Sequence, residues 1–118
     1  MDEVLTIGVR RERGYAIVTA AGEIDIATGA GLRERLSELA ANGRPLVVEL
    51  DQVSFMDSAG LGALIGAAKC AATHGASLHV AGTRPQIRQL FRLTGLDRQI
   101  PLARTLDEAL TAARTTPG

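Results

Sequence analysis

Leu46-Val47-Val48-Glu49-Leu50 and, after Asp51-Gln52, Val53-Ser54-Phe55-Met56-Asp57-Ser58-Ala59-Gly60-Leu61-Gly62 form the stretch that decides the fold. The first run is short and almost wholly apolar. Such a run suits a central strand covered by helices, because a strand buried on both faces has no polar side to show. The second run passes from apolar residues into Asp57-Ser58, where a helix begins. Asp or Ser suits the first turn of a helix, because its side-chain oxygen accepts an orphan backbone N–H. The expected helix runs from Ser58 to His74 and stops at Gly75, with Leu61, Leu64, Ile65, Ala68 and Ala72 as its buried stripe.

Upstream, Leu5, Ile7 and Val9 alternate with Thr6, Gly8 and Arg10, the period of a half-buried strand. Gly14 marks a turn, and residues 15 to 21 read as the hairpin partner. From about residue 27 to 41 the period changes. Leu32, Leu36, Leu39 and Ala40 share one helical face, with Arg33, Glu34 and Glu38 elsewhere, and Asn42-Gly43 then Pro45 stop the helix. Downstream, residues 77 to 81 read as a strand. Thr83 with Gln86, and Thr105 with Glu108, fit capping boxes. The first opens a helix with Pro85 in its first turn, a buried stripe of Ile87, Leu90 and Phe91, and an end at Gly95. The second opens a helix buried through Leu106, Ala109, Leu110 and Ala113.

The order is β-β-α-β-α-β-α-(β)-α. Its middle units favour parallel neighbours joined by right-handed crossovers. The expectation is an α/β fold with a mixed four- to five-stranded sheet, an N-terminal hairpin and about four helices packed largely on one side. Residues 1–114 are expected to form one domain, and 115–118 a flexible tail.

Composition narrows the function. Of 118 residues 46% are hydrophobic, enough for a core, and only Tyr15, Phe55 and Phe91 are aromatic. Thirteen basic and thirteen acidic residues cancel. The arginines look dispersed along the chain, which argues against a nucleic-acid footprint. No stretch approaches a membrane span. The acidic start, Met1-Asp2-Glu3, is unlike a signal peptide, so a cytoplasmic location is expected. Cys70 is the single cysteine, so no internal disulfide can form; it reads as a small core residue.

Catalytic readings find little support. A serine nucleophile elbow needs Gly-x-Ser-x-Gly, and Met56 stands at the first Gly. Gly60, Gly62 and Gly66 miss the dinucleotide spacing by one residue, and no acidic residue near position 80 would hold a ribose. Lys69 lacks the flanking residues of a P-loop. His74 and His79 lack partners at metal-ligand spacing and read as surface or strand-end residues. No enzyme activity, cofactor or metal is expected.

Two features of the second run remain. Each interior glycine of a helix costs about 1 kcal/mol against alanine. Gly62, Gly66, Lys69 and Thr73 fall on a face away from the buried stripe. Bare glycine there suits either close packing within the fold or close approach of a partner. A phosphate on a first-turn serine would meet the positive helix end, adding a charge of about −1.5 to −2. Asp57, and Asp25 at the end of the second strand, would oppose that charge.

At this point the chain resembles the STAS family, specifically its free-standing anti-sigma-factor antagonists. Gly22-Glu23-Ile24-Asp25 looks like the family's motif after the second strand. Val53 to Gly62 looks like its phosphorylation motif, and Phe91-Arg92-Leu93-Thr94-Gly95-Leu96 is similar to its late helix end. The family's usual Asp-Ser-Ser-Gly reads Asp57-Ser58-Ala59-Gly60 here, which leaves one serine as acceptor. The resemblance implies that the unmodified protein binds an anti-sigma factor with serine kinase activity and so frees the sigma factor. Phosphorylation of Ser58 would abolish binding, and a PP2C-type phosphatase would restore it. The implied partner-binding residues are Asp25, Asp57, Ser58, Ala59, Gly60, Gly62, Gly66 and Lys69. The family also contains subunits of phospholipid-transport complexes, stress-sensing assemblies and tails of anion transporters. A lipid-transport subunit and a non-phosphorylated STAS scaffold are therefore the alternatives.

Overall fold

Strands and helices alternate along most of the chain in the computed structural model, which describes residues 5–115. The order is β1 (Thr6–Glu12), β2 (Tyr15–Ile24), α1 (Gly29–Ala40), β3 (Leu46–Met56), α2 (Ser58–Thr73), β4 (Leu78–Ala81), α3 (Pro85–Thr94), a 3-10 turn (Leu96–Arg98), β5 (Leu102–Ala103) and α4 (Leu106–Thr115). Of the expected tail, only Thr115 is described, as the last residue of α4; residues 116–118 lie outside the described residues.

The sheet order is β1-β2-β3-β4-β5. β1 pairs antiparallel with β2, and β2 to β5 are parallel neighbours. The sheet is mixed, as the N-terminal hairpin predicts. One face carries Ala16, Val18 and Ala20 of β2 and Leu46, Val48 and Leu50 of β3. They pack with Leu32, Leu36 and Leu39 of α1, Leu61, Leu64 and Ala67 of α2, and Ile87 and Phe91 of α3. The other face packs Val47 and Ala81 against Ala109 of α4. Three helices therefore share one side, and α4 closes the other. Among the described residues no helix is long and apolar enough to cross a membrane.

Several local expectations shift. β3 runs six residues past Leu50. Beyond Glu49 it pairs with β2 alone, since its register with β4 ends at Glu49–Ala81. Asp51, Gln52 and Ser54 are exposed there, so polar side chains interrupt the apolar run without ending the strand. In α2 the buried positions are Gly60, Leu61, Ala63, Leu64, Ala67 and Ala71. Ala72, assigned to the buried stripe from its spacing, is exposed.

The Thr83–Gln86 capping box does not form. Pro85 takes the first helical position, so Arg84 is the N-cap, with no side-chain cap, and Thr83 sits one residue too early, turned inward. At α4 the Thr105 hydroxyl does accept the Glu108 N–H at 3.2 Å. The Glu108 carboxylate, however, accepts from the Arg104 N–H at 3.3 Å, one residue before the cap. Gly95 ends α3 in the left-handed region at φ 75°, where a residue without Cβ carries no steric penalty.

His79 is a clear correction. It is not a surface residue but lies within β4, 1% exposed. It pairs in register with Val47, which pairs with Ile17, so the three share the face that α4 covers. Its Nε2 lies 3.1 Å from Ser77 Oγ, while Nδ1 is buried without a hydrogen-bond partner. Burial pushes its pKa below the ordinary histidine value.

Candidate functional site

Two parallel strands deliver the site. Ile24 of β2 pairs with Met56 of β3, so Asp25 and Asp57 leave the sheet side by side, on strands about 4.8 Å apart. Gly22 lets β2 arrive in this register. It sits at φ 120° beside a shift in the β2–β3 pairing, a conformation that side chains with a Cβ rarely adopt.

Asp25 folds back on its own loop. Its Oδ1 accepts the N–H groups of Ala27 at 3.0 Å and Thr28 at 3.1 Å. The Thr28 hydroxyl accepts the Asp25 N–H at 3.0 Å and donates to the Glu23 carbonyl at 2.9 Å. Thr28 thus ties the Gly22–Asp25 segment to the start of α1. Sequence reasoning passed over it, although an Asp followed three residues later by Thr is a recognisable turn signal.

Asp57 is the N-cap of α2. Its Oδ1 accepts the N–H groups of Ala59 at 2.9 Å and Gly60 at 3.2 Å. Capping is thereby assigned to Asp57, and Ser58 at the first helical position is exposed. No described hydrogen bond engages the Ser58 hydroxyl. The residue types at 57 and 58 therefore divide the work: one organises the helix end, and the other presents a hydroxyl to solvent above it.

The glycines separate into three environments. Gly60 is buried, and a Cβ there would lie 2.6 Å from Met56 Cγ and 2.9 Å from Ile24 Cγ2. Its glycine is required by packing beneath the helix. Gly66 lies under α1's Arg33, whose Nε would be 2.6 Å from an added Cβ. It is half-buried and covered, not the bare outer glycine that the helical spacing suggested. Gly62 is exposed with nothing within 4 Å of a Cβ. It lines an open groove of about 450 Å³ between α1 and α2, with Gly29, Ala30, Arg33, Ala59 and Ala63. The floor is narrow because a Cβ on Gly29 would lie 3.2 Å from the Ala59 carbonyl.

Asp25, Asp57, Ser58, Ala59 and Gly62 thus gather at one end of the molecule. Lys69 is exposed on the same helix, roughly 16 Å along the axis from Ser58 at 1.5 Å per residue. One apolar side chain that the sequence did not single out lies beside the cluster, and a second is exposed on the other face of the sheet from Met56. Ile26, next to Asp25, is 86% exposed, and Phe55, two residues before Asp57, is 47% exposed. A large apolar group beside a polar cluster marks a protein contact surface better than a small-molecule pocket. Among the described residues no three His, Cys, Asp or Glu side chains converge as a metal site requires.

The STAS domain model matches residues 6–109. The chain is 37% identical to the anti-sigma-B factor antagonist of Bacillus subtilis over 92 residues, covering 78% of this chain and 84% of that protein. It is 33% identical over 111 residues to the anti-sigma-F factor antagonist RsfB of Mycobacterium tuberculosis, covering 93% and 90%. A crystal structure of an anti-sigma factor antagonist from Mycobacterium paratuberculosis superposes with a TM-score of 0.86 at 34% identity, covering 94% of this chain and 95% of that one. The unphosphorylated SpoIIAA structure, at 21% identity and a TM-score of 0.75, shares the fold. With a family model spanning β1 to α4, and relatives above 30% identity along most of their length, the chain belongs to the STAS domain family.

Proposed function

We propose that this protein is an anti-sigma factor antagonist that works by partner switching at Ser58, without turnover of any substrate. In the cytoplasm its unphosphorylated form binds an anti-sigma factor that is also a serine kinase, and the sigma factor is released. Phosphorylation of Ser58 ends the binding, and a PP2C-type phosphatase restores it. The observation that carries this reading is the exposed Ser58 hydroxyl on a helix end already capped by Asp57. Modification there removes no hydrogen bond that holds the fold. The relatives' names support the antagonist role.

The switch follows from charge. An unmodified Ser58 is neutral and small, on an end of the molecule that also carries the exposed Ile26 and the Gly62 groove. A phosphate there meets a helix N-terminus that tolerates an anion, so the fold survives. In the complex the same phosphate must shed water next to Asp57 and near Asp25. Losing tenfold in affinity takes only about 1.4 kcal/mol, and burying an uncompensated charge costs several.

Incubation with the cognate anti-sigma kinase and ATP, read by mass spectrometry, and calorimetric titration of both forms test this reading. The expected result is a single phosphate at Ser58 and loss of binding on its addition. Ser58→Ala should stay unphosphorylated and bind constitutively, and Ser58→Asp should bind poorly. Stoichiometric phosphorylation of Ser58→Ala, or equal affinity of the two forms, would overturn it.

A further inference from the structure

Three arginines scattered in the sequence converge at the sheet edge formed by β5. Arg88 and Arg92 are one helical turn apart on α3, a spacing that puts them on one face. Arg104 follows β5 and meets them across a hollow of about 310 Å³, also lined by Leu102, Ala103 and Asp97. Arg88 and Arg92 line a second open hollow on their other side, with Pro85, Gln89 and Leu93. Leu93 is 77% exposed. Neither hollow shares a residue with the Gly62 groove. Among the described residues no side-chain hydrogen bond or ion pair engages the guanidinium groups of Arg88, Arg92 or Arg104; Asp97 lines the first hollow, and the Glu108 carboxylate accepts the Arg104 backbone N–H beside it. In a chain of zero net charge, this edge carries three guanidinium groups against two carboxylates and is locally basic.

The geometry points to a second protein-docking surface, separate from Ser58, that takes a carboxylate-rich segment with apolar side chains from a partner protein. Guanidinium groups pair carboxylates in a bidentate fork, and Leu93 beside them offers an apolar seat. Other occupants fit less well. Single-stranded nucleic acid needs aromatic platforms, and none of Tyr15, Phe55 or Phe91 lines either hollow. A membrane surface needs a broad apolar face, and here one leucine is offered. Both hollows are open at the surface, unlike the enclosing clefts that bury small ligands.

The test uses the full chain and a short Glu-Glu-Leu-repeat peptide, with the Gln-Gln-Leu repeat as its neutral twin. Nitrogen-15 NMR follows the arginine Nε and Leu93 signals. The acidic peptide should shift Arg88, Arg92, Arg104 and Leu93 saturably, and the neutral twin should not. Raising salt from about 0.1 to 0.5 M should weaken binding, since exposed charges are screened within a few ångströms. Arg88→Glu with Arg92→Glu should raise Kd at least about tenfold by placing like charges opposite the peptide. Arg88→Gln with Arg92→Gln should weaken it less, and circular dichroism checks that both variants fold. Parallel arms use inorganic phosphate, phosphatidylglycerol–phosphatidylcholine vesicles and a single-stranded oligonucleotide. No saturable peptide shift, binding that survives the charge reversal in a folded variant, or tighter binding of any of the three other probes overturns the inference.

Discussion

The N–H of Asp57 donates to the carbonyl of Ile24 at 3.2 Å, continuing the β2–β3 register past the last residue of β3. This contact locks the start of α2 to the loop that carries Asp25 and Ile26. Residues of the proposed interface from two distant sequence segments therefore share one base. The proposed switch at Ser58 would act on a surface already formed in the fold.

The division of work between Asp57 and Ser58 is open to a stability measurement. Asp57→Ala removes an oxygen that accepts two N–H groups. It should cost about 1 kcal/mol, a fall of roughly 4 °C in Tm. Ser58→Ala should stay within about 0.5 kcal/mol of the parent, as surface changes do. Equal losses in urea denaturation would refute the assignment of the cap to Asp57.

The three glycines should respond differently to the same added methyl group. Gly60→Ala pushes a Cβ into Met56 and Ile24 and should destabilise by about 1–3 kcal/mol through overpacking. Gly62→Ala meets open space and should stabilise by up to about 1 kcal/mol. Gly66→Ala must displace the flexible Arg33 side chain and should fall between the two. Thermal melts of the three variants give the order directly.

Gly62 also separates folding from binding. Gly62→Gln should leave Tm near that of the parent while weakening binding of the proposed anti-sigma partner, because bulk enters the α1–α2 groove assigned to the proposed interface. Calorimetry against the partner checks this. Unchanged affinity would remove the groove from the interface.

Ile26 offers a second separation. Because it is 86% exposed, Ile26→Ser should change stability by less than about 0.5 kcal/mol. It should lower partner affinity by tenfold or more, as loss of an apolar anchor does at a hot spot. Parallel denaturation and titration of this variant decide the point.

Stability should fall on mild acidification because of His79. Burial lowers its folded pKa, so the unfolded chain takes up the proton first, near pH 6.5. This contribution to stability is complete above that value. It declines as pH drops from there toward the lower folded pKa. His79→Leu should flatten this part of the profile. Urea midpoints between pH 8 and pH 5 measure it, and an unchanged slope in the variant would exclude His79 as the cause.

Much of the molecule was legible in the amino-acid order because local physics speaks through period and punctuation. The apolar run at Leu46–Leu50, the 3.6-residue spacing of Leu32, Leu36 and Leu39, and the stops at Gly75 and Gly95 fixed the elements and their parallel order. The Asp57-Ser58 helix start was equally local, since a cap needs only the next three residues. What depended on distant neighbours was decided by tertiary structure alone. Spacing put Gly66 on one face with Gly62, but only packing shows Arg33 over Gly66, as it shows Met56 under Gly60. Alternation says nothing of whether a helix will cover the far face of a strand, so His79 read as a surface or strand-end residue, whereas α4 closes over β4 and buries it. Arg88, Arg92 and Arg104 looked dispersed, because a linear chain does not record which edge its last strand will join. Register and helix docking are global choices, made by burying the most apolar area at once, and no short window of sequence contains them.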